Sequence, residues 1–238
     1  YNYSDEELLY IKRVIESVVP HTMNYGQTIK DQSHRSWLYN KKENIEPYYW
    51  NRYKGFLLEK LSPKVVDSVD IVTDEILDLL QDPSLEGRWL RKGLVVGDVQ
   101  SGKTANFIGL TTKAFDSGYK LVIVLSGMLN SLRKQTQERF DEGAIGIDSS
   151  ILLNDSSRFN KLIGVGKYDA QNTPISITTV DADFNKSYAQ KNQQALEQYS
   201  KPVVFVIKKN VSIIANLIKW LKDNNFDFGL VCSPSYLH

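Results

Sequence analysis

Gly97-Asp98-Val99-Gln100-Ser101-Gly102-Lys103-Thr104 fills every fixed position of the pattern G-x-x-x-x-G-K-[ST]. At ordinary residue frequencies, chance produces such a match in a chain of this length about once in a hundred. The flanks sharpen the reading. Leu94-Val95-Val96 reads as a short apolar strand before the loop, and Ala105, Ile108, Thr112 and Phe115 stripe one face of a helix after it. A loop of this length turns successive backbone N–H groups inward around a phosphate. Gly97 and Gly102 give backbone freedom and close approach where a Cβ would clash. The helix beginning near Gly102 aims its positive end at the same phosphate. Lys103 then bridges the β and γ phosphates, and the Thr104 hydroxyl ligates Mg²⁺. A strand-to-helix turn with an exposed lysine is the plainer alternative. The expected ligands are ATP and Mg²⁺, held by Gly97, Asp98, Val99, Gln100, Ser101, Gly102, Lys103 and Thr104.

Beyond the loop, β-rich runs alternate with amphipathic helical patterns. Residues 121–125 precede a helix carrying Leu129, Leu132, Thr136 and Phe140. Residues 175–180 form another strand candidate, and residues 203–207 precede a helix carrying Ile214, Leu217, Ile218 and Leu221. Near-continuous apolar strands between helices predict a parallel sheet covered on both faces. The polar, Asn/Ser/Asp-rich stretch 148–174 reads as an irregular insertion.

Ahead of the loop the texture is helical. Ser4 and Glu7 have capping-box spacing before Leu8, Ile11, Ile15 and Val18, and Pro20 ends that helix. A second helix opens at Ser62-Pro63, carries Val65, Val69, Val72, Ile76 and Leu80, and stops at Asp82-Pro83. Between them lie Trp37, Tyr39, Tyr48, Tyr49, Trp50, Tyr53 and Phe56. Such rings stack on nucleobases or, more commonly, pack between helices. The expected organisation is a helical region over 1–90 and an α/β lobe over 91–238.

Composition narrows the classes. Of 238 residues, 42% are apolar and 24% charged, which excludes a disordered or collagen-like chain. With 29 basic against 28 acidic residues, net charge +1 gives no global attraction to nucleic acid or membrane, so any DNA contact needs a local patch. No apolar run approaches the ~20 residues of a membrane helix, and Tyr1-Asn2-Tyr3-Ser4-Asp5 lacks signal-peptide character. A single cysteine, Cys232, excludes an internal disulfide, and three scattered histidines make no zinc pattern. The expectation is a soluble cytoplasmic protein. The absent initiator Met suggests an excerpt of a longer chain.

A phosphate loop works with a carboxylate at the end of a neighbouring strand, which holds Mg²⁺ and positions the attacking water. Residues 121–125 end in Ser126-Gly127, and residues 203–207 end in Lys208-Lys209. Only residues 175–180 end in acid, at Asp181 with Asp183 beyond, so these two are the catalytic candidates.

The run Gly93-Leu94-Val95-Val96-Gly97-Asp98-Val99-Gln100-Ser101-Gly102-Lys103-Thr104-Ala105-Asn106-Phe107 resembles the phosphate-loop signature of the Z1 domain family. These are bacterial endonuclease-type proteins with a helicase-like P-loop ATPase core, associated with restriction and phage defence. Val72-Thr73-Asp74-Glu75-Ile76-Leu77, Leu125-Ser126-Gly127, Thr178-Thr179-Val180-Asp181-Ala182-Asp183-Phe184 and Val206-Ile207-Lys208-Lys209-Asn210 are similar to blocks in the same order. The resemblance implies a P-loop NTPase fold of the RecA/helicase-like kind. It implies DNA as a partner of the full-length protein, with further domains or a defence-system partner. Ser126, Gly127, Arg133 and Lys134 would form one DNA-backbone contact, and Lys208, Lys209 and Asn210 another. Trp89 and Arg91 would flank adenine, although packing is the commoner role for such a tryptophan. The family's next block is an Asp-Asp-Glu-Ala-Asp-like box; here Leu230-Val231-Cys232-Ser233-Pro234-Ser235 stands in that neighbourhood. The expectation is a lobe that ends before its acidic motif and is inactive alone, within a full-length ATPase coupled to endonuclease or helicase action. The alternatives are an NTPase that switches protein partners and a nucleotide-binding regulatory fragment without catalysis.

Overall fold

The computed structural model describes residues 4, 28–32, 34–87, 89–96, 102–150, 161–191, 201–223 and 230–232. The helix expected over 8–18 and loop residues 97–101 lie outside them. Helices α1 (Leu38–Lys41), α2 (Tyr48–Leu58) and α3 (Pro63–Leu79) precede the loop, and α4 (Lys103–Asp116) follows it. Then come β1 (Leu121–Ser126), α5 (Asn130–Phe140), β2 (Ile175–Ser176) and α6 (Lys186–Lys191). The sequence closes with β3 (Val203–Lys208), α7 (Val211–Asp223) and β4 (Leu230–Cys232). All strand pairs are parallel, in the order β2-β3-β1-β4.

Strand pleating divides the core in two. Val122 and Val124 of β1 and Val204 and Val206 of β3 face Trp50, Tyr53, Val66, Val69, Ile108, Phe115 and Phe140 from α2 to α5. Leu121, Ile123, Val203, Phe205 and Ile207 face Ala189, Leu217 and Trp220 from α6 and α7. Helices therefore cover both faces, as the unbroken apolar strands require. Helices α2 and α3 share the first of these cores, while Leu38 of α1 packs with Leu77, Leu110, Ala114 and Tyr119 in a smaller third cluster.

Several details differ from expectation. In α3 the buried apolar face is Val66, Val69 and Leu77; Val69 was expected, but Val66 and Leu77 stand one position on from Val65 and Ile76. The helix turned because Asp70, Asp74 and Asp78 need partners on that side: Lys54 and Lys113 for Asp70, Lys42 and Lys113 for Asp74, and His34 for Asp78. In α5 the buried face is Arg133, Gln137 and Phe140, while Leu129 is exposed. Polar demand decides again: Gln137 bonds Asp141 and the Ser176 and Thr178 hydroxyls. Only residues 175–176 of the run 175–180 are strand, because the Thr178 hydroxyl captures the Val206 N–H at 2.8 Å in place of a main-chain acceptor. Leu94, Val95 and Val96, expected as a strand, lie outside the sheet and are exposed. The flanking glycines weaken so short a run. The ring-rich stretch packs between helices, Trp50 edge-on to Tyr53 and Tyr49 edge-on to Phe115.

Two carboxylates from distant helices cap helix starts. Asp78 accepts the Trp37 and Leu38 N–H groups at 3.0 and 2.9 Å, and Asp116 accepts those of Tyr49 and Trp50 at 2.8 and 2.9 Å. Burial nevertheless pushes Asp116 up to about 7, and it pushes Asp141 up to about 6. A carboxyl raised on folding adds stability that is complete below its unfolded value and is lost as pH rises through the folded one. Burial also opposes ionisation of Asp70, Asp78 and Asp82, but Lys113, the Leu38 amide and Lys41 lead the groups that hold them below the ordinary range. Their contribution is present above the unfolded value and lost in acid. The expected stability maximum lies between about pH 4 and 6. Thermal midpoints climbing steadily from mild acid to pH 8 would contradict these assignments.

Candidate phosphate-binding site

Gly102 is the N-cap of α4 and has φ +74° and ψ +20°, a left-handed conformation that favours glycine. No heavy atom lies within 4 Å of a Cβ built there, so the conformation, not crowding, demands the residue. The Asn106 N–H bonds the Gly102 carbonyl at 3.2 Å and starts the helical ladder. Lys103 and Thr104 occupy the first turn, both half-buried. Close packing holds this helix: a Cβ on Gly109 would stand 3.2–3.4 Å from Thr73, Trp50 and Val69. Because α4 returns directly into β1, its N-terminus lies toward the strands' C-terminal ends. That is the edge where open α/β sheets bind ligands.

Arg139, in the last turn of α5, donates from Nη1 to the Thr104 hydroxyl at 3.0 Å. Sequence alone does not point to this residue. A basic residue near a helix C-terminus is ordinary, and nothing in the local pattern pairs it with a threonine 35 positions away.

The remaining candidates gather where β1 and β3 end side by side, Ser126 opposite Lys208. Ser126 is buried and donates its hydroxyl to the Ile207 carbonyl at 3.0 Å. Arg133 is 4% exposed and donates to the Thr179 and Val180 carbonyls at 2.8 and 2.6 Å. Both were expected at a DNA backbone, yet both direct their donors into the protein, because the turn after β2 leaves carbonyls to satisfy. Gly127 lets Leu132 pack: an added Cβ would lie 2.6 Å from its Cδ1. Lys134 pairs with Asp181 at 3.5 Å, both side chains about half exposed. Asp183 accepts the N–H groups of Phe184 at 2.7 Å and Lys208 at 3.3 Å, which ties down the end of β3. Lys208 donates to Asn130 at 2.8 Å, Lys209 is half-buried, and Asn210 caps α7 through the Ser212 and Ile213 N–H groups. Trp89 stands edge-on to Tyr119, and Arg91 bonds Gln81.

A helix start behind a left-handed glycine, with lysine and threonine in its first turn, suits a phosphate. Among the described residues no group of three or more His, Cys, Asp or Glu could hold a metal by itself. Magnesium does not require one, since it commonly binds through few protein ligands together with phosphate oxygens and water. The Thr104 hydroxyl fits that mode. No described helix is long and apolar enough to cross a membrane.

By class this is an α/β protein with a parallel sheet covered on both faces and helices ahead of it. Comparison with models of known families, with curated proteins and with solved structures finds no match to the chain.

Proposed function

We propose that this chain is the ATP-binding lobe of a helicase-like, DNA-processing ATPase of the kind that serves restriction or phage defence. The observation that carries the reading is Gly102, left-handed at the start of α4, with Lys103 and Thr104 in the first turn of a helix packed on a parallel sheet. Lys103 bridges phosphates, Thr104 ligates Mg²⁺, and Arg139 brings a second positive charge to the same place. DNA would lie along the C-terminal ends of β1 and β3, where Gly127, Lys134, Lys208, Lys209 and Asn210 surround the starts of α5 and α7. Magnesium, when bound, neutralises charge on the triphosphate and supplies Lewis acidity.

Asp181 and Asp183 already serve Lys134 and the end of β3. That favours nucleotide binding with slow or no turnover by this chain alone. Calorimetry with ATP–Mg²⁺ tests the reading. Lys103→Ala removes a charged hydrogen bond worth about 1.5–3 kcal/mol, so affinity should fall roughly ten- to hundredfold. Equal affinity of variant and parent would sink the role given to Lys103. DNA-stimulated phosphate release by a longer form would separate this reading from a protein-partner switch.

A further inference from the structure

A cavity of about 260 Å³ lies between α2, α3 and the C-terminal half of α4, roughly 18 Å along that helix from Thr104. Leu38, Ile45, Pro47, Trp50 and Leu77 give it an apolar wall. Its volume falls just under the ~300 Å³ at which drug-sized sites begin, so it suits a small ligand.

Charges in the lining are unevenly paired. Asp70 meets Lys54 and Lys113, and Asp74 meets Lys42 and Lys113. Asp116 also lines the cavity, yet among the described residues no lysine, arginine or histidine pairs with it. Lys113 has nothing left to give: its three N–H groups go to the Asp70 carbonyl, the Asp70 carboxylate and the Asp74 carboxylate. Nearby Glu46 adds negative potential. The Tyr49 and Trp50 N–H groups occupy one lone pair on each Asp116 oxygen, which leaves a second on each. A largely buried carboxylate beside a cavity, without a counter-ion, attracts a cation. One free carboxylate against an apolar wall suits an organic cation better than a metal ion, which takes several oxygen ligands. Lys42 and Lys54 are already neutralised by Asp74 and Asp70, so an anion finds no unpaired charge here.

We propose that this cavity binds a small organic ammonium ion, a primary amine on a short apolar chain, with Asp116 as its counter-ion. The site is independent of the phosphate-site reading above. The ammonium donates to the remaining lone pairs of Asp116 while the chain lies against Ile45, Pro47 and Trp50. Around Asp116 stand Glu46, Tyr49 and Arg52 from α2 and its approach, Asp70 and Asp74 from α3, and Lys113 on its own helix. Arg52 donates to the Val165 and Ile145 carbonyls, and burial pushes Tyr49 up to about 12, so neither changes charge near neutrality. Burial pushes Asp116 up to about 7, so its ionised fraction rises about tenfold from pH 6 to pH 8. The ammonium needs the ionised form. Its affinity is full above pH 7 and is lost as pH falls through that value.

Calorimetry with butylammonium chloride, butanol and sodium butanoate tests the site. At pH 8 butylammonium should bind at least about tenfold more tightly than either of the others. At pH 6 its affinity should be about tenfold lower, following the ionised fraction of Asp116. Asp116→Asn keeps an acceptor for one of the two capped N–H groups. It should lower the affinity at pH 8 about tenfold or more and flatten the pH dependence. A thermal midpoint separates lost binding from a lost fold, and should this variant not fold, the pH profile of the parent decides alone. No butylammonium binding at pH 8 overturns the site. Equal binding of butanol overturns the charge recognition, and preferred binding of butanoate gives the cavity to the lysines instead. Equal affinity at pH 6 and pH 8, or a folded Asp116→Asn that binds as the parent does, overturns the role of Asp116.

Discussion

Gly164→Ala should lower the unfolding free energy by about 4 kcal/mol, the sum of a strained backbone and an overpacked contact. Gly164 has φ +46°, and a Cβ there would stand 1.9 Å from the Glu142 carbonyl oxygen. The oxygen belongs to the main chain and the backbone alone fixes where a Cβ stands, so no rotamer change relieves the clash. Two residues on, a Cβ on Gly166 would lie 2.0 Å from the Gly146 carbonyl oxygen. Here the turn Gly164–Lys167 crosses the segment Asp141–Ile145 at the end of α5, and the Arg52 side chain bonds the Ile145 carbonyl beneath it. Since α5 also carries Arg139, loosening the crossing should reach the Arg139–Thr104 contact. Urea midpoints measure the loss, with Gly93→Ala as control, because nothing lies within 4 Å of a Cβ there. A Gly164→Ala protein that unfolds at the parent's midpoint would show that the two segments do not cross as described.

Lys113→Met should cost about 3 kcal/mol, the low end of the penalty for breaking a buried ion pair, because Asp70 keeps Lys54 and Asp74 keeps Lys42. Lys113 lies on α4, nearly fully buried, and donates to the Asp70 carboxylate and carbonyl and to the Asp74 carboxylate at 2.5–2.6 Å. Its ammonium also stands 4.4 Å from the centre of the Trp50 ring. Methionine keeps most of the stem, so the loss reports the charge more than the packing. Adding Asp70→Asn and Asp74→Asn should recover much of it, since removing a whole buried ion cluster is far cheaper than breaking one. Should Lys113→Met alone lose less than about 1 kcal/mol, the cluster behaves as a solvated surface pair.

The start of the helix after residue 101 was legible because its constraints are local. A left-handed residue, a helix start and a lysine must follow one another along the chain, and Gly102, Lys103 and Thr104 do so. The strands over 121–125 and 203–207 were legible for a similar reason, since unbroken apolar runs have few other places to lie. Faces of helices were less so. Period alone put Val65, Val72 and Ile76 inward on α3, yet Lys42, Lys54 and Lys113 wait on the side of Asp70 and Asp74. Those lysines are far away in sequence, and no local window contains them.

By itself, then, the sequence determined the α/β alternation, the helix opening at Pro63 and the left-handed Gly102 that starts the helix Lys103–Asp116, each written within a few consecutive positions. Only the tertiary structure decided that Ser126 and Arg133 satisfy carbonyls within the fold, that Asp183 serves the end of β3, and that Arg139 meets Thr104. It also left residues 94–96 beside no described strand, although their composition reads as β. Side chains of either kind look alike in a list. A buried donor or acceptor is bound wherever folding brings its partner, and that partner is set by how distant segments cross, not by neighbours in the chain.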